Sequence, residues 1–94
     1  MSWTINFLNR ARKTLAQIDP KAQRRIQAFL DELGELDSPR SRGKALQGQY
    51  GLWIYRISDY RIIARIQDQQ LTVLIVKIGH RREVYKNMDA LESE

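Results

Sequence analysis

Three consecutive segments in the second half of the chain carry a β-type pattern: Leu52-Trp53-Ile54-Tyr55-Arg56-Ile57, Tyr60-Arg61-Ile62-Ile63-Ala64-Arg65-Ile66 and Leu71-Thr72-Val73-Leu74-Ile75-Val76-Lys77-Ile78. They are rich in β-branched and aromatic residues and bounded by polar ones, the signature of strands. Their connections, Ser58-Asp59 and Gln67 to Gln70, are short enough to demand antiparallel neighbours. At the other end of the chain, Trp3, Ile5 and Phe7 alternate with Ser2, Thr4 and Asn6, which predicts a short strand with one buried face. Between these regions the apolar spacing changes to three and four. Ala11, Leu15 and Ile18 mark one helix, and Ala22, Ile26, Phe29, Leu30 and Leu33 mark a second. Asn9 is placed to cap the first helix; Asp19 caps the second, with Pro20 at its first position. Gly34, or the following Asp37-Ser38-Pro39, ends it. The polar, glycine-bearing stretch from Ser38 to Gly51 reads as a loop. The expected fold class is α+β: a two-helix hairpin packed on one face of a curved, mainly antiparallel four-stranded sheet, with the other face open for function. A short helix or frayed tail is expected from Asn87 to Glu94.

With 94 residues the chain has room for a single domain spanning 1–94 and one main core. A hydrophobic share of 43% suits a folded protein and is too high for a disordered one. No apolar run approaches the roughly 20 residues of a membrane span, and the N-terminus lacks a secretory leader's pattern, so a cytoplasmic location is expected. There is no cysteine and only one histidine, His80. A Cys/His zinc site is therefore excluded, and neither metal nor cofactor is expected. Charge adds more. The segment from Pro39 to Lys86 holds ten basic and three acidic side chains, against six and five before it, and the last eight residues are purely acidic with three. Such a concentration suits a polyanionic partner such as nucleic acid, or else a solubilising surface.

A two-residue turn at Ser58-Asp59 pairs Ile57 with Tyr60 and Arg56 with Arg61, and opposed residues share a face. Arg65 has the parity of Arg61 and joins that face. Trp53, Tyr55, Ile57, Tyr60, Ile62, Ala64 and Ile66 form the opposite, apolar set suited to packing under the helices. Like charges directly opposite each other cost stability, on the order of several tenths of a kcal/mol. A fold that keeps such a pair either holds an anion between them or exposes them at a solvated edge. After the third strand come Gly79, which interrupts the alternation, and then His80 and Arg81, close to the Ser58-Asp59 turn. The basic cluster is thus expected to draw on all three strands.

Gly51-Leu52-Trp53 leading to Arg56, then Asp59-Tyr60-Arg61-Ile62-Ile63, then Ile78-Gly79-His80-Arg81-Arg82-Glu83-Val84-Tyr85 resemble the RelE/ParE toxin superfamily, the last motif being typical of its RelE branch. The resemblance covers nearly the whole chain. It implies the toxin of a type II toxin–antitoxin system, a metal-independent endoribonuclease that cuts mRNA in the ribosomal A site, and a RelB-like antitoxin as partner beside the ribosome and mRNA. It implies further that Arg61, Arg81 and Tyr85 are catalytic; Arg56 and His80 are added as catalytic candidates from their place beside that cluster. Arg65, Arg82 and Lys86 are expected to bind RNA or ribosome, and Lys44, Arg40 and Arg42 either grip ribosomal RNA or form a solvated loop. Where well-known members place two lysines ahead of the Tyr-Arg dipeptide, this chain has Ile54 and Arg56. An arginine is a poor proton acceptor, so His80 is the side chain suited to proton transfer unless its role is structural. The alternative function is that of a ParE-like toxin inhibiting DNA gyrase by protein binding, without RNA chemistry.

Overall fold

The computed structural model describes residues 2–46 and 51–86. The expected tail from Asn87 to Glu94 lies outside them. Strand β1 (Thr4–Phe7) leads into helices α1 (Asn9–Gln17) and α2 (Pro20–Glu35); a 3-10 turn (Pro39–Arg42) precedes strands β2 (Lys44–Ala45), β3 (Leu52–Ile57), β4 (Tyr60–Gln67) and β5 (Thr72–His80). The sheet order is β1-β5-β4-β3-β2. The meander is antiparallel, and β1 closes the far edge by running parallel to β5, with Thr4 opposite Thr72 and Phe7 opposite Ile75. Five strands are present where four were expected. The additional one lies inside the stretch read as a loop, where Lys44 and Ala45 pair with Ile54 and Trp53. Two residues are too few to show a period, which is why the polar sequence concealed it.

Asp19 caps α2 as expected: its Oδ2 accepts a hydrogen bond from the Ala22 N–H at 3.2 Å, and Pro20 begins the helix. Asn9 does not cap α1. Leu8 occupies the cap position without a side-chain bond, and its N–H donates to the Ile75 carbonyl at 2.9 Å. Strand and helix are thus joined without a spacer, and Asn9 already belongs to the first turn. Gly34 does not stop α2 either. It is buried in the last turn, where the Trp3 N–H donates to its carbonyl at 2.7 Å. An added Cβ would sit 3.0 Å from the Trp3 oxygen, so the missing side chain lets β1 approach the helix. The helix ends instead at Leu36, which turns extended.

Both helices cover one face of the sheet. Ala11, Ile26, Leu30 and Leu33 pack there on Tyr55, Ile57, Ile62, Ala64, Val73, Ile75 and Ile78. The opposite face, expected to be open for function, carries a smaller apolar cluster of its own: Leu52, Ile54, Ile63 and Val76 lie under Val84, flanked by Leu8, Leu46 and Leu74. Within β5 a bulge decides which residues serve which face. Ile63 is opposite Lys77 while Ala64 is opposite Ile75, so Val76 is an extra residue that shifts the alternation by one. Ile75 and Ile78, which strict alternation would separate, consequently share the helix-covered face.

Candidate nucleic-acid interface

On the face away from the helices, Arg56 of β3 stands opposite Arg61 of β4, which stands opposite Gly79 of β5. Directly opposed side chains start from Cβ atoms about 5 Å apart. Among the described residues neither arginine has a carboxylate partner. Arg56 is exposed and Arg61 half-buried. Arg61 Nη1 donates to the carbonyls of Ser58 and Tyr60, both at 2.9 Å, which ties its guanidinium to the hairpin tip. The Arg81 N–H donates to the Asp59 carbonyl at 2.8 Å, so Arg81 begins at the same tip.

Beyond β5 the chain folds back over the sheet. The Glu83 and Val84 N–H groups both donate to the His80 carbonyl, at 2.8 and 2.9 Å. Val84 is fully buried above Gly79. An added Cβ at Gly79 would lie 3.3 Å from the Val84 Cα, so the absence of a side chain is what lets the turn lie this close. The turn delivers Tyr85, half exposed, into a groove of about 580 Å³ lined also by Arg42, Lys44, Leu46, Ile54 and Arg56. Three cations and one aromatic ring thereby share a concave surface, which suits a phosphate flanked by an unstacked base.

The remaining expected site residues divide. His80 is opposite Tyr60, on the helix-covered face, with the two rings edge to face at 6.0 Å. It therefore does not join the arginines, a correction whose cause is the shifted alternation of β5. Its Nδ1 accepts from the Arg82 N–H at 3.4 Å. Arg65 shares the face of Arg61 but stands four residues along β4, roughly 13 Å away at about 3.3 Å per residue. It lines a different cavity, with Trp53 and Asp68. Arg82 and Lys86 are exposed on the turn. Arg40 is structural: it makes a two-bond fork with Asp68 at 2.8 and 2.7 Å and stacks 5.6 Å over the Trp53 ring. The Arg40 hydrogen bonds hold the Asp68 carboxyl below its ordinary pKa. Arg42 lies 3.6 Å from Glu32.

Lys77 escaped the sequence reading. It shares the face of Arg61, one row along, and its Nζ donates to the Lys86 carbonyl. Burial, and then the neighbouring Arg10 charge, lower its pKa. The available signal was a lone cation inside the apolar run from Leu71 to Ile78. No cluster of three metal-ligating side chains occurs among the described residues, and no described helix is long and apolar enough to cross a membrane.

The family described as the ParE toxin of the type II toxin–antitoxin system parDE matches residues 5–85. Toxin RelG of Mycobacterium tuberculosis is 31% identical over 88 residues, covering 92% of this chain and 99% of its own. The chain is a toxin of the RelE/ParE superfamily, in its RelE branch. The fold agrees. A double arginine-to-alanine mutant of Escherichia coli toxin RelE in the free state matches with a TM-score of 0.73 at 21% identity, covering 100% of this chain and 94% of that one. The toxin–antitoxin complex RelBE2 of M. tuberculosis matches at 0.68 and 30% identity, covering 88% and 95%. The intact E. coli RelBE complex matches at 0.71 and 17% identity, covering 84% and 96%. The α+β layout expected from the spacing of apolar residues is thus that of the family.

Proposed function

We propose that this toxin is a metal-independent endoribonuclease that cleaves mRNA in the ribosomal A site, in the cytoplasm, and is restrained by a RelB-like antitoxin. The observation that carries the reading is the opposed pair Arg56 and Arg61, with Tyr85 folded into the groove that Arg56 lines. In the reaction a ribose 2′-oxygen attacks the adjacent phosphorus and loses its proton. The P–O5′ bond breaks, and the leaving oxygen takes up a proton to give a 5′-hydroxyl and a 2′,3′-cyclic phosphate. Arg61 and Arg81, at the hairpin tip, neutralise the charge that builds on the phosphoryl oxygens. Arg56 and Lys44 hold the flanking backbone, and Tyr85 orients the scissile nucleotide by stacking. Arg65, Arg82 and Lys86 add attraction for ribosomal RNA around the groove. His80 takes no part in proton transfer because it stands on the other face.

The test is to map mRNA 5′ ends in a translating extract supplied with the purified chain or its variants. Arg61→Ala and Arg81→Ala each lose tenfold or more in cleavage, at least about 1.4 kcal/mol of transition-state stabilisation. His80→Ala stays within about threefold of wild type. Intact mRNA together with blocked gyrase supercoiling would replace this reading by the protein-binding one, for which the ParE name of the matching family speaks.

A further inference from the structure

The turn carrying Arg81, Arg82 and Tyr85 has no regular secondary structure and leaves the end of an interior strand, yet it is held flat against the sheet. Three fastenings do this. The Arg81 N–H is bonded to the Asp59 carbonyl at the near end. Val84 is buried on Gly79 in the middle. At the far end the Lys77 ammonium reaches up from β5 to the Lys86 carbonyl, one residue past Tyr85. The first two fix the start and centre of the turn; Tyr85 lies beyond both and is exposed on one side. Lys77 is partly buried beside Ile63, with Arg10 close enough to disfavour its charge. A cation kept there against that cost, between apolar neighbours from Val73 to Ile78, calls for a specific bond that an apolar residue would not make.

We infer that Lys77 is a positioning residue: by holding the Lys86 carbonyl it fastens the C-terminal turn and so fixes Tyr85 in the groove beside Arg56 and Lys44. The inference rests on the nuclease reading for its consequence in activity, but the fastening itself can be measured without RNA. A methionine keeps most of the side chain's volume and removes the donor, whereas an arginine keeps a donor and the charge.

The experiment compares full-length wild type with Lys77→Met, Lys77→Arg, Tyr85→Ala and the double variant Lys77→Met/Tyr85→Ala. Amide exchange at Val84 and Lys86 accelerates tenfold or more in Lys77→Met, while the core amides of Ile62 and Ile75 stay as protected as in wild type. Lys77→Arg restores protection. In the cleavage assay Lys77→Met loses about tenfold, chiefly in kcat, and Lys77→Arg recovers most of it. Adding Lys77→Met to Tyr85→Ala produces no further loss, because the residue acts through the ring it positions. Unchanged exchange at Val84 and Lys86 overturns the inference, and so does an undiminished Lys77→Met effect in the Tyr85→Ala background. If wild type itself leaves mRNA intact, the nuclease reading falls while the exchange data still decide whether Lys77 fastens the turn.

Discussion

Tyr55 shows how one side chain links the core to the groove. It is fully buried against Phe29, with ring centroids 5.7 Å apart, and its hydroxyl donates to the Pro39 carbonyl at 2.9 Å. That bond holds the 3-10 turn that carries Arg42 and leads into Lys44 of β2, both of which line the groove. Burial disfavours the phenolate and pushes the Tyr55 pKa up to about 12, with the Arg40 charge pulling the other way. The unfolded chain therefore ionises first as pH rises, and the contribution of Tyr55, complete below its ordinary pKa of 10, is lost progressively up to about 12. Tyr55→Phe is expected to cost about 1 kcal/mol at neutral pH and to lose less stability than wild type across the alkaline range. Urea midpoints measured against pH would show both, and parallel curves for the two proteins would refute the assignment.

At the scale of elements, the 3-10 turn before β2 and the one after β4 (Asp68–Gln70) are clamped together by Arg40 and Asp68. The carboxyl's folded pKa is depressed, so its contribution is present above the unfolded pKa and disappears as pH falls through the folded one. Asp68→Asn should accordingly be less stable than wild type at neutral pH, and the gap between them should close in acid. A gap that persists in acid, seen by the same denaturation measurement, would show that the clamp does not work through charge. Such elements also mark how much was legible. The meander, the Arg56–Arg61 pairing and the Asp19 cap follow from short-range rules, and all are present. β2 was hidden by its two-residue length. The side on which His80 stands was hidden because Val73-Leu74-Ile75-Val76 is apolar throughout, so nothing in the run says where the alternation slips. The role of Arg40 depended on Asp68, 28 residues away, which no local pattern connects. The groove itself needs the fold-back of the last turn, announced in the sequence only by Gly79.

For the whole molecule, the two apolar clusters divide the labour: the larger one joins the helices to the sheet, and the smaller one underlies the face on which the groove is built. Leu30 is completely buried in the former. Leu30→Ala is expected to lower stability by about 2 to 5 kcal/mol, which for a chain of this size approaches the whole folding free energy. A loss below about 1 kcal/mol in chemical denaturation would mean that the site collapses around the gap. The bulge at Val76 sets a different kind of limit. Because it offsets the two halves of β5 by one position, a variant lacking Val76 would have to turn either Val73 and Ile75 or Ile78 inside out. The protein should therefore tolerate many single replacements along this strand far better than the loss of one residue, and natural length variation should collect in its loops.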